Sequence, residues 1–344
     1  MLKILFCLLI SPIVFAQTSL FSISGQQPDF CLGESGKIEV VFGQKNKLYY
    51  SFSSDQGKHF SEPSLVDSLV GLHLGASRGP RIASSQSETI ITAIDKLGNV
   101  YAFRKSQMGS WIKNQVNDIP EIAKEGFNAI SANKKHQFTV IWLDLRGDRK
   151  NKLMSSTSLD GGKSWQKNQL VYTSPESSIC ECCQPNIVMK DNHIAIMFRN
   201  WLQGSRDMYV IQSTNGGKTY GQAQKLGLGT WVLNACPMDG GSIDIAPNGE
   251  IVSVWRRAEN LYTSGIKGEE TLLGPGKNAS TAILSSGQWL VWSHMGQIFL
   301  KSSKTGSTQN LGAGRFPIIK AINALQGFII WENQGQIFGQ KLGS

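Results

Sequence analysis

No stretch of this sequence carries helical periodicity, and beyond the first 16 residues no apolar run is long enough to cross a bilayer. The first absence excludes helix bundles and alternating α/β folds. The second excludes a helical membrane protein. No linker or low-complexity stretch divides the chain, so a single domain is expected. Basic residues outnumber acidic ones by 34 to 25, a net charge of +9, yet they are scattered and form no stripe. Nucleic acid is therefore not an expected partner. The charge surplus has two readings, a solvated basic surface or an anionic ligand. The cysteines do not follow the spacing of a zinc ribbon.

What the sequence has is turns. Ser53-Ser54-Asp55-Gln56-Gly57-Lys58-His59-Phe60 shares its pattern with Ser158-Leu159-Asp160-Gly161-Gly162-Lys163-Ser164-Trp165 and with Ser213-Thr214-Asn215-Gly216-Gly217-Lys218-Thr219-Tyr220. In each, Asp or Asn caps its own backbone, Gly takes positive φ and the aromatic anchors the following strand. The starts are 105 and 55 residues apart, and a degenerate copy, Ser106-Gln107-Met108-Gly109-Ser110-Trp111, fills the longer gap. Before each box lie two apolar runs joined by a turn. The same hairpin recurs without boxes at 251–263, 289–300 and 328–342. Seven hairpins with units of about 40 to 50 residues predict an all-β propeller of four-stranded blades. Six blades is the alternative, if one hairpin belongs to an insertion. The last unit lacks its final strand, and residues 18–24 alternate with no other partner. They are expected to complete the last blade and close the ring, removing both open edges.

Residues 1–16 read as a cleaved signal peptide, with Lys3 as the basic region, an apolar stretch from Ile4 to Val14, and Val14-Phe15-Ala16 as the cleavage site. Residues 17–344 then form the propeller. Export to the periplasm or the medium is expected, in an oxidising space, with a monomer as the expected state.

In a propeller the first strand of each blade lines the axis. Its entry opens on the same face as the turn between strands two and three, and the boxes lie on the opposite face. The expected entries carry Cys31, Arg78, Arg81, Cys180, Cys182, Cys183, Cys236, Met238 and Arg315. The expected turns add Asp95, Arg199, Trp201, Arg256 and Glu259. All five cysteines beyond the leader fall at entries, so the axial mouth on this face is the expected site. Trp142, Trp255, Trp292 and Trp331 share one hairpin position and read as packing, whereas Trp201 breaks that register and reads as a ligand platform.

The boxes resemble those of the sialidase superfamily, as do Arg81-Ile82-Ala83 and Trp142-Leu143-Asp144-Leu145-Arg146. The resemblance covers about residues 25 to 265. It implies a carboxylate-binding arginine cluster, an Asp acid/base and a Tyr nucleophile activated by Glu, a scheme outside the usual pair of carboxylates. Guanidinium forks suit a carboxylate. Arg81 matches the first arginine, Arg315 stands for another, and Arg199 or Arg256 for a third. Asp95 is the acid candidate, and Glu259 with Tyr262 the nearest Glu/Tyr pair.

The cysteine-rich segments have no counterpart in the ordinary sialidase site. Cys182 and Cys183 are adjacent, so a disulfide between them would be strained. Disulfides tying neighbouring blades, such as Cys180 or Cys183 to Cys236, are one reading. Five cysteines leave one thiol over. A soft-metal site on Cys180, Cys182, Cys183, Cys236 and Met238 is the second, with copper or zinc as the metal. A redox thiol is the third. The leading functional reading is an exported sialidase-like propeller that binds an anionic small molecule or acidic glycan, through Arg78, Arg81 and Arg315 above all. Hydrolysis stands open as a further activity. The alternatives are a metal or redox protein and a non-catalytic interaction scaffold.

Overall fold

A computed structural model describes residues 21–33, 36–176, 178–266 and 268–343. The expected leader and the first residues of the expected closing strand lie outside these segments. The described chain forms seven four-stranded antiparallel sheets, and no α-helix occurs among its residues. The blades span 26–68, 81–115, 128–172, 186–225, 242–275, 277–313 and 315–342. The count is seven, not six.

Strand one of each blade is innermost: Gln26–Leu32, Arg81–Ser85, Asn128–Ala132, Asn186–Lys190, Ser242–Ile245, Lys277–Leu284 and Arg315–Ala321. Within each sheet the strands follow chain order, as hairpins require, except in blade seven. There the outer strand is Phe21–Ser24, which pairs with the last strand in the register Phe21 to Gly339 and Ser24 to Gln336. The ring is thus closed by the two ends of the chain, and an edge that would otherwise expose unpaired N–H and C=O groups is covered.

The boxes form as their residues dictate. In the first, Ser53 Oγ donates to Asp55 Oδ1 (2.7 Å) and accepts from Gly57 N (2.8 Å). Asp55 Oδ1 also accepts from Lys58 N and His59 N. Ser158 with Asp160 and Ser213 with Asn215 repeat the arrangement. Gly57 has φ of 88°, and a Cβ there would lie 2.4 Å from the ring of Phe328. Only Gly satisfies both the turn and that contact.

Apolar side chains on successive blades interdigitate between the sheets. Trp142 and Trp331 are buried, as are Trp255 and Trp292. Trp255, Trp292 and Trp331 each stack on the strand-three aromatic opposite, Tyr262, Phe299 and Phe338, with centroids 5.9–6.3 Å apart. The packing role read for these tryptophans holds.

Candidate functional site

The seven inner strands surround an axial cavity of about 520 Å³. Its wall mixes apolar side chains such as Ile82 and Ile187 with polar ones, and the polar ones serve inner-strand edges that have no further strand to pair with. Side chains on one inner strand take up N–H groups of the next. Asp29 Oδ2 accepts from Ile82 N (3.0 Å), Ser242 Oγ from Thr281 N (3.2 Å), Asp244 Oδ2 from Ile283 N (2.9 Å) and Ser280 Oγ from Ile319 N (3.2 Å). These acids and hydroxyls staple the blades together. Burial pushes the Asp244 carboxyl above its usual range, while the N–H groups of Ile283 and Ile245 oppose that.

Of the six residues expected to bind the ligand, Arg81 alone lines this cavity. Its Nη1 donates to Pro80 O (3.0 Å), and its Nη2 to Ser77 O (2.6 Å) and Gln184 Oε1 (3.4 Å). Among the described residues it forms no ion pair. Asp29, the acid whose charge acts on it, is bonded to Lys320 at 2.9 Å.

The other arginines are engaged by the fold. Arg199 is buried, with Nε and Nη2 donating to Asp239 O, Nη1 to Arg206 O, and Nη2 also to Arg256 O. Arg256 donates to Ala258 O and lies 3.6 Å from Asp239. Arg78 stacks on Phe127 at 4.1 Å and donates to Glu125 O (2.6 Å). Arg315 pairs with Glu332 at 2.8 Å at the entry to blade seven. Trp201 is half-buried, with the Arg206 guanidinium 4.6 Å from its ring. A different aromatic, Trp231, faces both Arg199 (5.2 Å) and Arg256 (5.3 Å). It sits in the loop before blade five, with no motif around it to single it out from sequence.

The catalytic candidates are not brought together. Asp95, in the strand two–three turn of blade two, is buried and accepts from Asn99 N (2.9 Å) and Asn99 Nδ2 (3.0 Å), which folds the turn. Glu259 is exposed in the corresponding turn of blade five. Tyr262 belongs to strand three of that blade, between Trp255 and Arg257, whose guanidinium lies 3.9 Å from its ring. None of the three lines the axial cavity.

Arg257 also grips Glu270 through Nη1 (2.7 Å) and Nη2 (2.5 Å), and these bonds hold the Glu270 carboxyl down at about 2. An unfolded glutamate titrates near ~4.3. The depressed value means that this pair stabilises the fold fully above about pH 4.3, and that its contribution is lost as the pH falls toward 2. Glu270→Gln is expected to blunt this part of the acid sensitivity, seen as a flatter stability profile below about pH 4.3 in acid-unfolding titrations.

The cysteines divide into three. Cys180, Cys182 and Cys183 gather in the loop leading into blade four and are all buried. Cys180 Sγ lies 3.1 Å from Cys183 Sγ and 3.6 Å from Cys182 Sγ. Hydrogen bonds from Cys182 and Cys183 hold the Cys180 thiol well below its ordinary range, and Arg206 acts in the same direction. Arg206 Nη1 is 3.2 Å from Cys180 Sγ and 3.2 Å from Glu181 Oε2. Cys236 is exposed in the loop before blade five, 3.9 Å from Glu181 Oε1. Its sulfur groups with Cys182 and Glu181, whereas Cys180 and Cys183 fall outside that set. A bridge from Cys180 or Cys183 to Cys236 is therefore not what the geometry prepares, and none of the five described cysteines is disulfide-bonded. Met238 is exposed with φ of 54° at the same rim.

Cys31 corrects an expectation. A bulge between Gln26 and Asp29 starts strand one of blade one earlier than the sequence suggests. Cys31 therefore lies near the far end of that strand, beside Glu39 (3.8 Å), rather than at the mouth. Glu39 in turn accepts from Tyr50 and Thr89.

Fold and boxes together define a seven-bladed propeller with BNR-like repeats, similar in fold to sialidases. The model of the BNR repeat-like domain matches residues 133–231, the stretch that holds two of the three complete boxes. No curated protein matches the chain. Among solved structures, a Dyadobacter fermentans protein of unknown function is similar, at 14% identity and a TM-score of 0.55, covering 93% of this chain and 94% of that one. The Hadza microbial sialidase Hz136 is similar at 12% identity and a TM-score of 0.55, covering 93% of this chain and 66% of that one. The α-L-arabinanase of Penicillium chrysogenum, solved with arabinobiose, is similar at 10% identity and a TM-score of 0.53, covering 77% and 92%. At these identities the likeness is one of fold.

Proposed function

We propose that this chain is an exported propeller that binds an acidic glycan in its axial channel, with Arg81 as the group that receives the anionic substituent. The observation that carries the reading is a guanidinium on the cavity wall with no carboxylate partner among the described residues. A partly buried charge left unpaired is costly, and an anion entering the channel would offset that cost. The neighbouring sialidase and arabinanase structures are named for glycan-acting proteins, which favours a glycan over other anions. Hydrolysis by the sialidase scheme is not part of the proposal, because Asp95, Glu259 and Tyr262 lie on blades two and five and none reaches the axis. Export rests on residues 1–16, and a mature N-terminus read by mass spectrometry from the native host checks it.

The binding test is a panel of sialylated and neutral glycans. Sialylated members are expected to bind, and Arg81→Ala to weaken them by roughly 10- to 100-fold, the worth of a charge-assisted hydrogen bond. Arg81→Lys is expected to recover part of the loss, since it keeps the charge without the fork. Equal binding of neutral and acidic glycans, or an unchanged affinity in Arg81→Ala, would sink the reading.

A further inference from the structure

The thiol cluster at the entry to blade four is separate from Arg81 and has its own chemistry. We infer that Cys180, Cys182 and Cys183 bind one Cu(I) ion as a three-coordinate thiolate site in the loop leading into blade four. The inference stands on geometry. One sulfur, Cys180, makes near-contacts of 3.1 and 3.6 Å with two others, and all three lie within 4.8 Å of one another. A disulfide would draw one pair to about 2.05 Å and leave the third sulfur aside. Three sulfurs within 4.8 Å of one another can instead open slightly around a shared ion. With metal–sulfur bonds of about 2.3 Å, three sulfurs in a plane around one ion sit roughly 4.0 Å apart, so the 3.1 and 3.6 Å pairs would open by about 0.9 and 0.4 Å on binding.

Softness and ligand count select the ion. Thiolates favour Cu(I), zinc and iron–sulfur clusters over hard cations. A structural zinc is almost always closed by four ligands. The fourth cysteine does not close this set, since Cys236 falls within range of Cys182 and Glu181 only. Three sulfurs with no fourth ligand grouped with them among the described residues suit Cu(I), which accepts trigonal coordination.

Charge supports the same choice. Binding releases the thiol protons, so three thiolates around Cu(I) carry two net negative charges. Arg206 Nη1 stands 3.2 Å from Cys180 Sγ. This guanidinium offsets part of the excess in a buried place where it would otherwise be costly. Glu181 holds Arg206 in position from the solvent side, with Oε2 at 3.2 Å from its Nη1. Exposed Cys236 lies beside the cluster, grouped with Glu181 and Cys182.

The test uses the full mature chain, reduced and then titrated anaerobically with Cu(I) against a coloured Cu(I) chelator. One equivalent is expected to be withheld from the chelator, with X-ray absorption reporting three sulfur neighbours. Cys182→Ser is expected to weaken binding by more than the roughly 10- to 100-fold that loss of an outer-shell partner costs. Cys31→Ser, remote from the cluster, is expected to retain the equivalent. Should Cys182→Ser fail to fold, the wild-type chain still decides. Cu(I) is expected to raise its melting temperature, because an ion that binds only the folded state stabilises it. The inference is overturned by a chain that yields all its copper to the chelator, by four sulfur neighbours, by zinc displacing Cu(I), or by a metal-free native mass lighter by two disulfides' worth of hydrogen.

Discussion

Replacing Arg199 by methionine is expected to lower the unfolding free energy by at least about 3 kcal/mol. The side chain is buried and donates to three backbone carbonyls, those of Asp239, Arg206 and Arg256. Each carbonyl left buried without a donor costs roughly 1–3 kcal/mol. Asp239 would suffer as well. Burial already pushes its carboxyl above the ordinary range, and Arg199 is first among the groups that oppose this, ahead of Arg256, the Asn278 N–H and Lys277. Removing one of them leaves a buried acid less compensated. The loop that carries Cys236 and Met238 enters blade five at Asp239, so the rim of the site is expected to loosen with the loss of stability. Urea unfolding measures the first effect, and hydrogen exchange over residues 227–241 the second. A loss below about 1 kcal/mol would mean that water replaces the guanidinium at those carbonyls and that Arg199 is not the brace described here.

Phe328→Ala is expected to be as damaging, for a different reason. Phe328 is fully buried at the seam where the ring closes. Its ring meets Phe30 edge-on at 5.6 Å, and Phe21 and Phe60 at 6.2 and 6.1 Å. Gly57 and Gly339 are held close to it, so that an added Cβ at either position would lie under 3 Å from the ring. Truncation of a buried Phe costs roughly 3–5 kcal/mol, through lost transfer energy and the cavity left behind. The loss here falls on the one blade assembled from both ends of the chain. Phe21–Ser24 is held by a single strand partner, so the variant is expected to expose the N-terminal strand as well as to melt earlier. Limited proteolysis with N-terminal sequencing separates the two effects. Cleavage confined to loops on the box face, with residues 21–24 still protected, would show that the closing strand does not depend on Phe328.

The propeller was legible because its determinants are local. A box such as Ser158 to Trp165 sets its turn through contacts no more than four residues apart, Asp160 to Ser164 among them. Each hairpin pairs residues within one short unit. The closing strand was legible by subtraction, since a hairpin without a fourth strand and a strand without a partner have one economical solution. Trp331 and its counterparts were legible as packing because a shared register implies a shared environment.

The site was legible only to the level of which face. Arg81 and Arg199 are alike in sequence, each an arginine expected at the mouth. What separates them is the partner each guanidinium meets, on chain segments up to 57 residues away for Arg199 and 103 for Arg81. Cys31 was misplaced for a smaller reason: one bulge moves every later residue of an inner strand along the axis. The cysteines of blade four were placed at the mouth by their position in the repeat, but no spacing rule tells which sulfurs converge and which stays apart.

Sequence alone therefore determined the all-β class, the repeat unit, a count of seven hairpins, the closing strand and the face on which unusual residues collect, because turn chemistry and strand alternation act over a few residues; that every hairpin is a blade, seven and not six, the structure decided. Tertiary structure decided that Arg81 lines the channel with no ion pair among the described residues, that Arg199 is a brace, and that the sulfurs of Cys180, Cys182 and Cys183 gather while Cys236 stands outside their group. Those outcomes depend on distances between loops of different blades, and such distances are set by how the blades pack around the axis.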